Sequence, residues 1–166
     1  MLQKGIENTP LFQEFKSLLD PLGITIVDID RMEQGRTSAV NIVIKTADHE
    51  VNVDDCAKVY NLVYPRLELT TGERDLQLEV STPGLQRNLR DIYEFGLFVG
   101  RRVRVYDTSR GAWISGIIVQ ADDAGITLDG TTVEDQTENL GICKVPYEQI
   151  HKAKLEYRWE DVPHVQ

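Results

Sequence analysis

Cysteine is almost missing from this chain of 166 residues: Cys56 and Cys143 stand far apart, without CxxC spacing and without ligand histidines beside them. That spacing argues against a disulfide framework and against a zinc site, and both thiols read as small core residues. Histidine is equally scarce. His49, His151 and His164 fall in a loop, a strand-like segment and the tail, with neither HxxxH nor HExxH spacing, so no metal and no cofactor are expected. No apolar run approaches the roughly 18 residues that span a bilayer, and the opening MLQKGIENTPLF lacks the basic-then-apolar layout of a signal peptide. The expectation is a cytoplasmic protein with no membrane partner.

Catalytic signatures are missing too. There is no P-loop and no GxGxxG, so nothing cradles a nucleotide phosphate. Ser81 in VSTPG invites comparison with a nucleophile elbow, but GxSxG is absent and turn chemistry accounts for it better. Asp28 and Asp30 would suit acid/base work in a cleft beside a nucleophile or metal; at period-two spacing they read as a solvated strand face. Asp54 and Asp55 read as first-turn helix residues favoured by the helix dipole. The chain is therefore expected not to be an enzyme and to have no small-molecule substrate.

Positive charge is the last scarcity. Residues 111–143 contain no Lys or Arg, yet carry Asp122, Asp123, Asp129, Glu134, Asp135 and Glu138. The whole chain has a formal charge of −9, which repels nucleic acid at long range, so any RNA contact must be local. One place offers it. Residues 86–110 hold Arg87, Arg90, Arg101, Arg102, Arg104 and Arg110 against Asp91, Glu94 and Asp107.

What is present is ordinary globular material, 41% hydrophobic and 27% charged, enough for one medium core or two small ones. Thr9 is a plausible N-cap with Pro10 at the first helical position, and Leu11, Phe12, Phe15, Leu18 and Leu19 make one helical stripe. From Ile24 to Glu33 the period falls to two, with Val27 and Ile29 on one face and Asp28 and Asp30 on the other. Gln34, Gly35 and Arg36 form a turn, and Val40, Ile42 and Ile44 return. In VNVDDCAKV, Asn52 caps with Asp55 three residues on, a short-armed capping box, and Cys56, Val59, Tyr60, Val63 and Leu67 follow on one helical face. Leu76, Leu78 and Val80 alternate as a third strand. This α-β-β-α-β order describes a small α+β domain over residues 1–85.

Thr82, Pro83 and Gly84 break that strand, and a charged segment follows, so 86–96 reads as a linker. Beyond it lies an all-β domain, 97–166. Val103 and Val105 alternate with Arg102, Arg104 and Tyr106; Trp113 to Gln120 is an apolar run; Ile126 and Leu128 alternate; Ile142 to Val145 and His151 to Tyr157 complete roughly five strands, suggesting a small barrel. GTTVEDQTENL, 130–140, is too polar for a buried strand and reads as an extended acidic loop. After Tyr157 the chain offers Trp159 as a docking group or stays loose.

On the basic island, Arg102 and Arg104 are expected to project from one strand face with Tyr106 beside them. Guanidinium plus aromatic ring is a workable RNA contact, since the charge holds phosphate and the ring stacks a base. Arginines on a solvent-facing strand also fit a plain barrel surface.

The segment LEVSTPGLQRNL, 78–89, resembles the signature of the ribosome maturation factor RimP family, a strand leading into a Ser-Ser-Pro-Gly turn and an Arg-Pro-Leu. VNVDDCAKV, FVGRRVRV at 98–105 and VPYEQIHKAKLEY at 145–157 extend the resemblance over both domains. Thr82 stands where the family usually has a second serine and keeps its hydroxyl. Asn88 stands where proline is usual and leaves the backbone freer. Residues 130–141 look longer than typical. The resemblance implies an amino-terminal domain likened to a KH domain lacking the GxxG loop, and a carboxy-terminal barrel of Sm or SH3 type. It further implies a non-catalytic factor for maturation of the small ribosomal subunit that binds the free subunit or its precursor, its rRNA and a basic ribosomal protein of the decoding region. On that reading Ser81, Thr82, Gly84, Arg87, Arg90, Arg101, Arg102, Arg104 and Tyr106 face the ribosome and its RNA, while Glu134, Asp135 and Glu138 receive the basic protein. An Sm-like RNA-binding module acting on non-ribosomal RNA is the alternative.

Overall fold

The computed structural model describes residues 2–136 and 139–158. It divides into two compact units, Ile6–Pro83 and, with Met1–Gly5 joined to it, Gly84–Gln166.

In the first unit, helix α1 (Pro10–Leu19) begins where the Thr9 side chain accepts the N–H of Phe12, and it buries Phe12, Phe15 and Leu19. Strands β1 (Ile24–Gln34) and β2 (Thr37–Thr46) form an antiparallel hairpin. Helix α2 (Val53–Thr71) then crosses over to β3 (Asp75–Ser81), which lies parallel to β2 and completes the order β1-β2-β3. A parallel neighbour needs such a crossover, because no tight turn can reverse the chain twice. The start of α2 is set by a reciprocal cap: Asn52 Oδ1 accepts the Asp55 N–H at 2.9 Å, and Asp55 Oδ2 accepts the Asn52 N–H at 3.0 Å. Asp55 Oδ2 also lies 2.8 Å from His49 Nε2, and His49 Nδ1 lies 2.6 Å from Asp48 Oδ1. Val40, Ile42, Ile44, Val59 and Val63 are wholly buried, and each contributes on the order of 1.5–3 kcal/mol by leaving water.

Three sequence expectations change here. Asp28 is buried rather than solvated, because the β1–β2 register slips between Ile26 and Asp28. The bulge leaves Val27 as an extra residue, so strict alternation fails at that point. Tyr60 lies on the open flank of α2, stacked on Tyr64 at a ring separation of 5.4 Å, and not in the core stripe. Cys56 and Cys143 are half-buried free thiols, not core residues.

The second unit holds the short helix α3 (Tyr93–Leu97) and strands β4 (Arg102–Asp107), β5 (Ala112–Ala121), β6 (Gly125–Val133), β7 (Asn139–Pro146) and β8 (Ile150–Leu155). All pairs are antiparallel, in the order β7-β6-β5-β4-β8. Val103, Val105, Ile114, Ile118, Ile126 and Leu128 alternate inward and are wholly buried. At the β5–β6 turn the Asp122 carboxylate accepts the N–H groups of Ala124 and Gly125, which hold it below the usual carboxylate range. A side chain at Gly125 would collide with the Val145 carbonyl and, at 2.9 Å, with Pro146 Cα. Phe95 of α3 stacks on Tyr147, whose hydroxyl is pushed up to about 12 by burial and then by Asp122 and Asp123.

Residues 130–140 are only partly a loop: β6 runs on to Val133, with Thr131 and Val133 buried, and β7 resumes at Asn139. Flanked by strands on both sides, a polar backbone is satisfied, and only every second side chain needs to leave water. Residues 86–96 are not an isolated linker. The Leu89 N–H donates to Ala153 O at 2.9 Å and the Leu155 N–H to Arg87 O at 2.8 Å, so residues 87–89 cover the outer edge of β8. The start of the chain joins them: the Gln3 N–H donates to Arg90 O and the Ile92 N–H to Gln3 O, both at 2.9 Å. Among the described residues, no helix is long and apolar enough to cross a membrane.

Candidate nucleic-acid interface

Strand β4 alternates cleanly: Val103, Val105 and Asp107 point inward, while Arg102, Arg104 and Tyr106 remain half-exposed on the other face. Register extends that face sideways. Tyr106 lies opposite Trp113 of β5, and Arg104 lies opposite both Ser115 and Lys154 of β8. The Tyr106 and Trp113 rings meet edge-on at 5.6 Å, Tyr106 and His151 edge-on at 6.4 Å, and the Arg104 guanidinium sits 4.6 Å from the Trp113 ring centre. An electron-rich indole face attracts a cation at this distance. Arg104 and Lys154 are like charges directly across a ladder, an arrangement that costs stability unless an anion joins them. Glu134 is that anion for Arg104, with its Oε1 2.6 Å from Arg104 Nη2.

Glu134 is held there by its backbone. Its N–H donates to Trp113 O at 2.9 Å, continuing the β5–β6 ladder past Val133, and Gln136 N–H closes the turn on Val133 O at 3.1 Å. Asp135 sits in that turn with φ of 63°, a left-handed conformation that Asp tolerates better than most residues. Glu138 lies outside the described residues, as do Trp159 and His164. The arginine island and the acidic stretch, read from sequence as separate surfaces, thus meet at Arg104 and Glu134.

The other arginines of the island divide. Arg87 turns inward: its Nε lies 2.6 Å from Glu94 Oε1, with side chains 12% and 0% exposed. The second oxygen of Glu94 accepts the N–H groups of Arg90 and Asp91 at 2.8 and 3.1 Å. This buried carboxylate ties residues 87–94 together, so Arg87 serves the fold. Arg110 is tied to Asp107 at 3.3 Å, and Asp107 also accepts the Ser109 N–H and hydroxyl, closing the β4–β5 turn. Arg101 is exposed, its guanidinium 5.9 Å from the Phe98 ring centre. Arg90 lines a groove of about 470 Å³ together with Asn88, His151 and Lys152. The three acids of the island, Asp91, Glu94 and Asp107, are all buried.

Ser81 ends β3 opposite Val43 and, like exposed Thr82, belongs to the first unit; Gly84, with φ of 73°, opens the second. Sequence reasoning did not single out Trp113, His151, Lys152 or Lys154. For Trp113 a signal existed: DTSRGA is a turn, and folding the chain about it sets Tyr106 against Trp113. His151, Lys152 and Lys154 become neighbours of β4 only through long-range pairing, which spacing does not reveal. Among the described residues, no group of three or more His, Cys, Asp or Glu is placed to hold a metal ion.

Two comparisons place this architecture. Residues 15–86 match the model of the RimP N-terminal domain. Proteins named ribosome maturation factor RimP from Borrelia turicatae (strain 91E135) and Borrelia hermsii (strain HS1 / DAH) are each 26% identical over 152 residues, covering 92% of this chain and 98% of the relative. With one domain matched and relatives aligned nearly end to end through the other, these similarities support the RimP family for this chain.

Proposed function

We propose that this protein is a ribosome maturation factor, a non-catalytic cytoplasmic binder of the free small subunit or its precursor. The observation that carries the reading is the alignment with relatives of that name along almost the whole of both chains. On this reading the first unit is a KH-like domain without the GxxG clamp. The second is read as a barrel of Sm or SH3 type, and the first five residues count with it.

The surface of β4, β5 and β8 supports an RNA contact. Arg102, Arg104 and Tyr106, with Arg90 and Arg101, supply phosphate-holding charge and one stacking ring; separately, Ser81 and Thr82 of the first unit and Gly84 of the second are read as further ribosome contacts. Arg87 supports this surface from within. Glu134, Asp135 and Glu138 offer the acidic side to a basic ribosomal protein of the decoding region. Opposite charge there gives orientation and encounter rate more than raw affinity.

Sedimentation of lysate tests the reading. The protein should travel with the free small subunit and be missing from joined ribosomes. Arg102→Glu with Arg104→Glu should release it, and Glu134→Gln with Asp135→Asn should weaken capture of the basic protein. Migration away from all ribosomal particles, with salt-sensitive binding to other RNA, would favour the Sm-like module instead.

A further inference from the structure

We propose that Trp113 is the stacking platform for an unpaired RNA base, and that Glu134 occupies the guanidinium of Arg104 until RNA phosphate replaces it. This rests on the RNA half of the function proposed above and names the nucleotide site within it.

Three observations lead there. The indole of Trp113 is only partly buried, and its neighbours are a cation and a ring, Arg104 at 4.6 Å and Tyr106 at 5.6 Å, with His151 in turn 6.4 Å from Tyr106. A sheet surface that strings aromatic rings together with arginine and lysine is the composition that binds single strands, because every base has a face to stack and every nucleotide a phosphate to hold. The cations on that face are in excess. Arg104 and Lys154 oppose each other across β4 and β8, exposed Lys152 lies beside His151, and among the described residues Glu134 is ion-paired with Arg104 alone. Finally, the Arg104–Glu134 pair is open to water, with side chains 36% and 44% exposed, so it is weak and exchangeable.

The exchange conserves interactions. Arg104 leaves the indole and Glu134 together, its guanidinium takes a phosphate in a charge-assisted pair, and the base takes the indole face that the guanidinium covered. Glu134 is then free to meet water or a basic protein. Removing Glu134 therefore strengthens RNA binding, whereas an acid that merely adds repulsion elsewhere on the loop does so much less.

The test uses the full chain, a fluorescent ten-nucleotide oligoadenylate, and a self-complementary RNA duplex of the same length, at low salt. Wild-type protein should prefer the single strand. Trp113→Ala should weaken single-strand binding roughly tenfold or more, in keeping with the loss of one stacked base. Trp113→Phe should recover part of that loss, and its thermal unfolding should match wild type, which separates stacking from folding. Glu134→Gln should tighten binding about three- to tenfold, and Asp135→Asn distinctly less. If the wild type binds the single strand but neither Trp113→Ala nor Glu134→Gln changes affinity, this inference is wrong while the RNA surface stands. Equal affinity for the duplex also overturns it. No binding to either RNA overturns both.

Discussion

Two arginine–glutamate pairs in the second unit meet at the same 2.6 Å, yet they do different things. Arg87–Glu94 is shut away from water, and the carboxylate also accepts two backbone N–H groups. Taking both charges from water costs several kcal/mol, and the pair offsets it because both carboxylate oxygens accept hydrogen bonds. Arg104–Glu134 keeps its solvent, makes one contact and leans on an indole. The first pair is part of the fold; the second is a surface state that a ligand can replace. Distance alone separates nothing here, and burial decides the role.

Breaking each pair should expose that difference. Glu94→Ala removes a buried carboxylate from Arg87 and its acceptor from the Arg90 and Asp91 N–H groups, and should destabilise the second unit by about 3–5 kcal/mol in urea denaturation. A loss below about 1 kcal/mol would mean the pair is no more structural than the exposed one. Gly125→Ala, which forces a methyl against the Val145 carbonyl and Pro146 Cα, should cost about 1–3 kcal/mol without touching either pair. It gauges what a purely steric fault does in the same sheet. At the other end, Glu134→Gln should change unfolding free energy by less than about 1 kcal/mol, and 0.5 M salt should remove most of that change.

The first unit supplies a third case, an acid that works through backbone and histidine together. Asn52→Ala should cost about 1 kcal/mol, the usual worth of an N-cap. The cap is also pH-dependent. Hydrogen bonds to Asp48 and then Asp55 raise His49 above 6.5, so its contribution is complete below about pH 6.5 and is lost as pH rises through the elevated value. The Asn52 N–H and then His49 lower Asp55 below 3.8, so its contribution is present above that value and is lost as pH falls through the depressed one. Urea midpoints of wild type and His49→Gln should therefore differ most near pH 5 and converge by pH 8. A gap unchanged over that range would detach the histidine from the cap.

What the sequence determined by itself was everything written in local periodicity and punctuation. The Thr9–Pro10 start, the Asn52–Asp55 capping box and the alternation of Val103 and Val105 are decided within a few residues, since caps and strand faces depend on near neighbours. The LEVSTPGLQRNL segment carried the family in the same way, by contiguous residues. Only the tertiary structure decided where the charges act. Arg87 and Arg104 look alike along the chain, and so do Glu94 and Glu134. One pair lies seven residues apart beside a covered edge; the other is thirty apart, brought together by the β5–β6 ladder on a solvent-facing side of the sheet. A bulge buried Asp28 against its pattern, and register placed Trp113 against Tyr106, with the pairing of β4 and β8 adding His151 and Lys154. Water content and long-range pairing set the energy of a charge, and neither is a property of its neighbours in sequence.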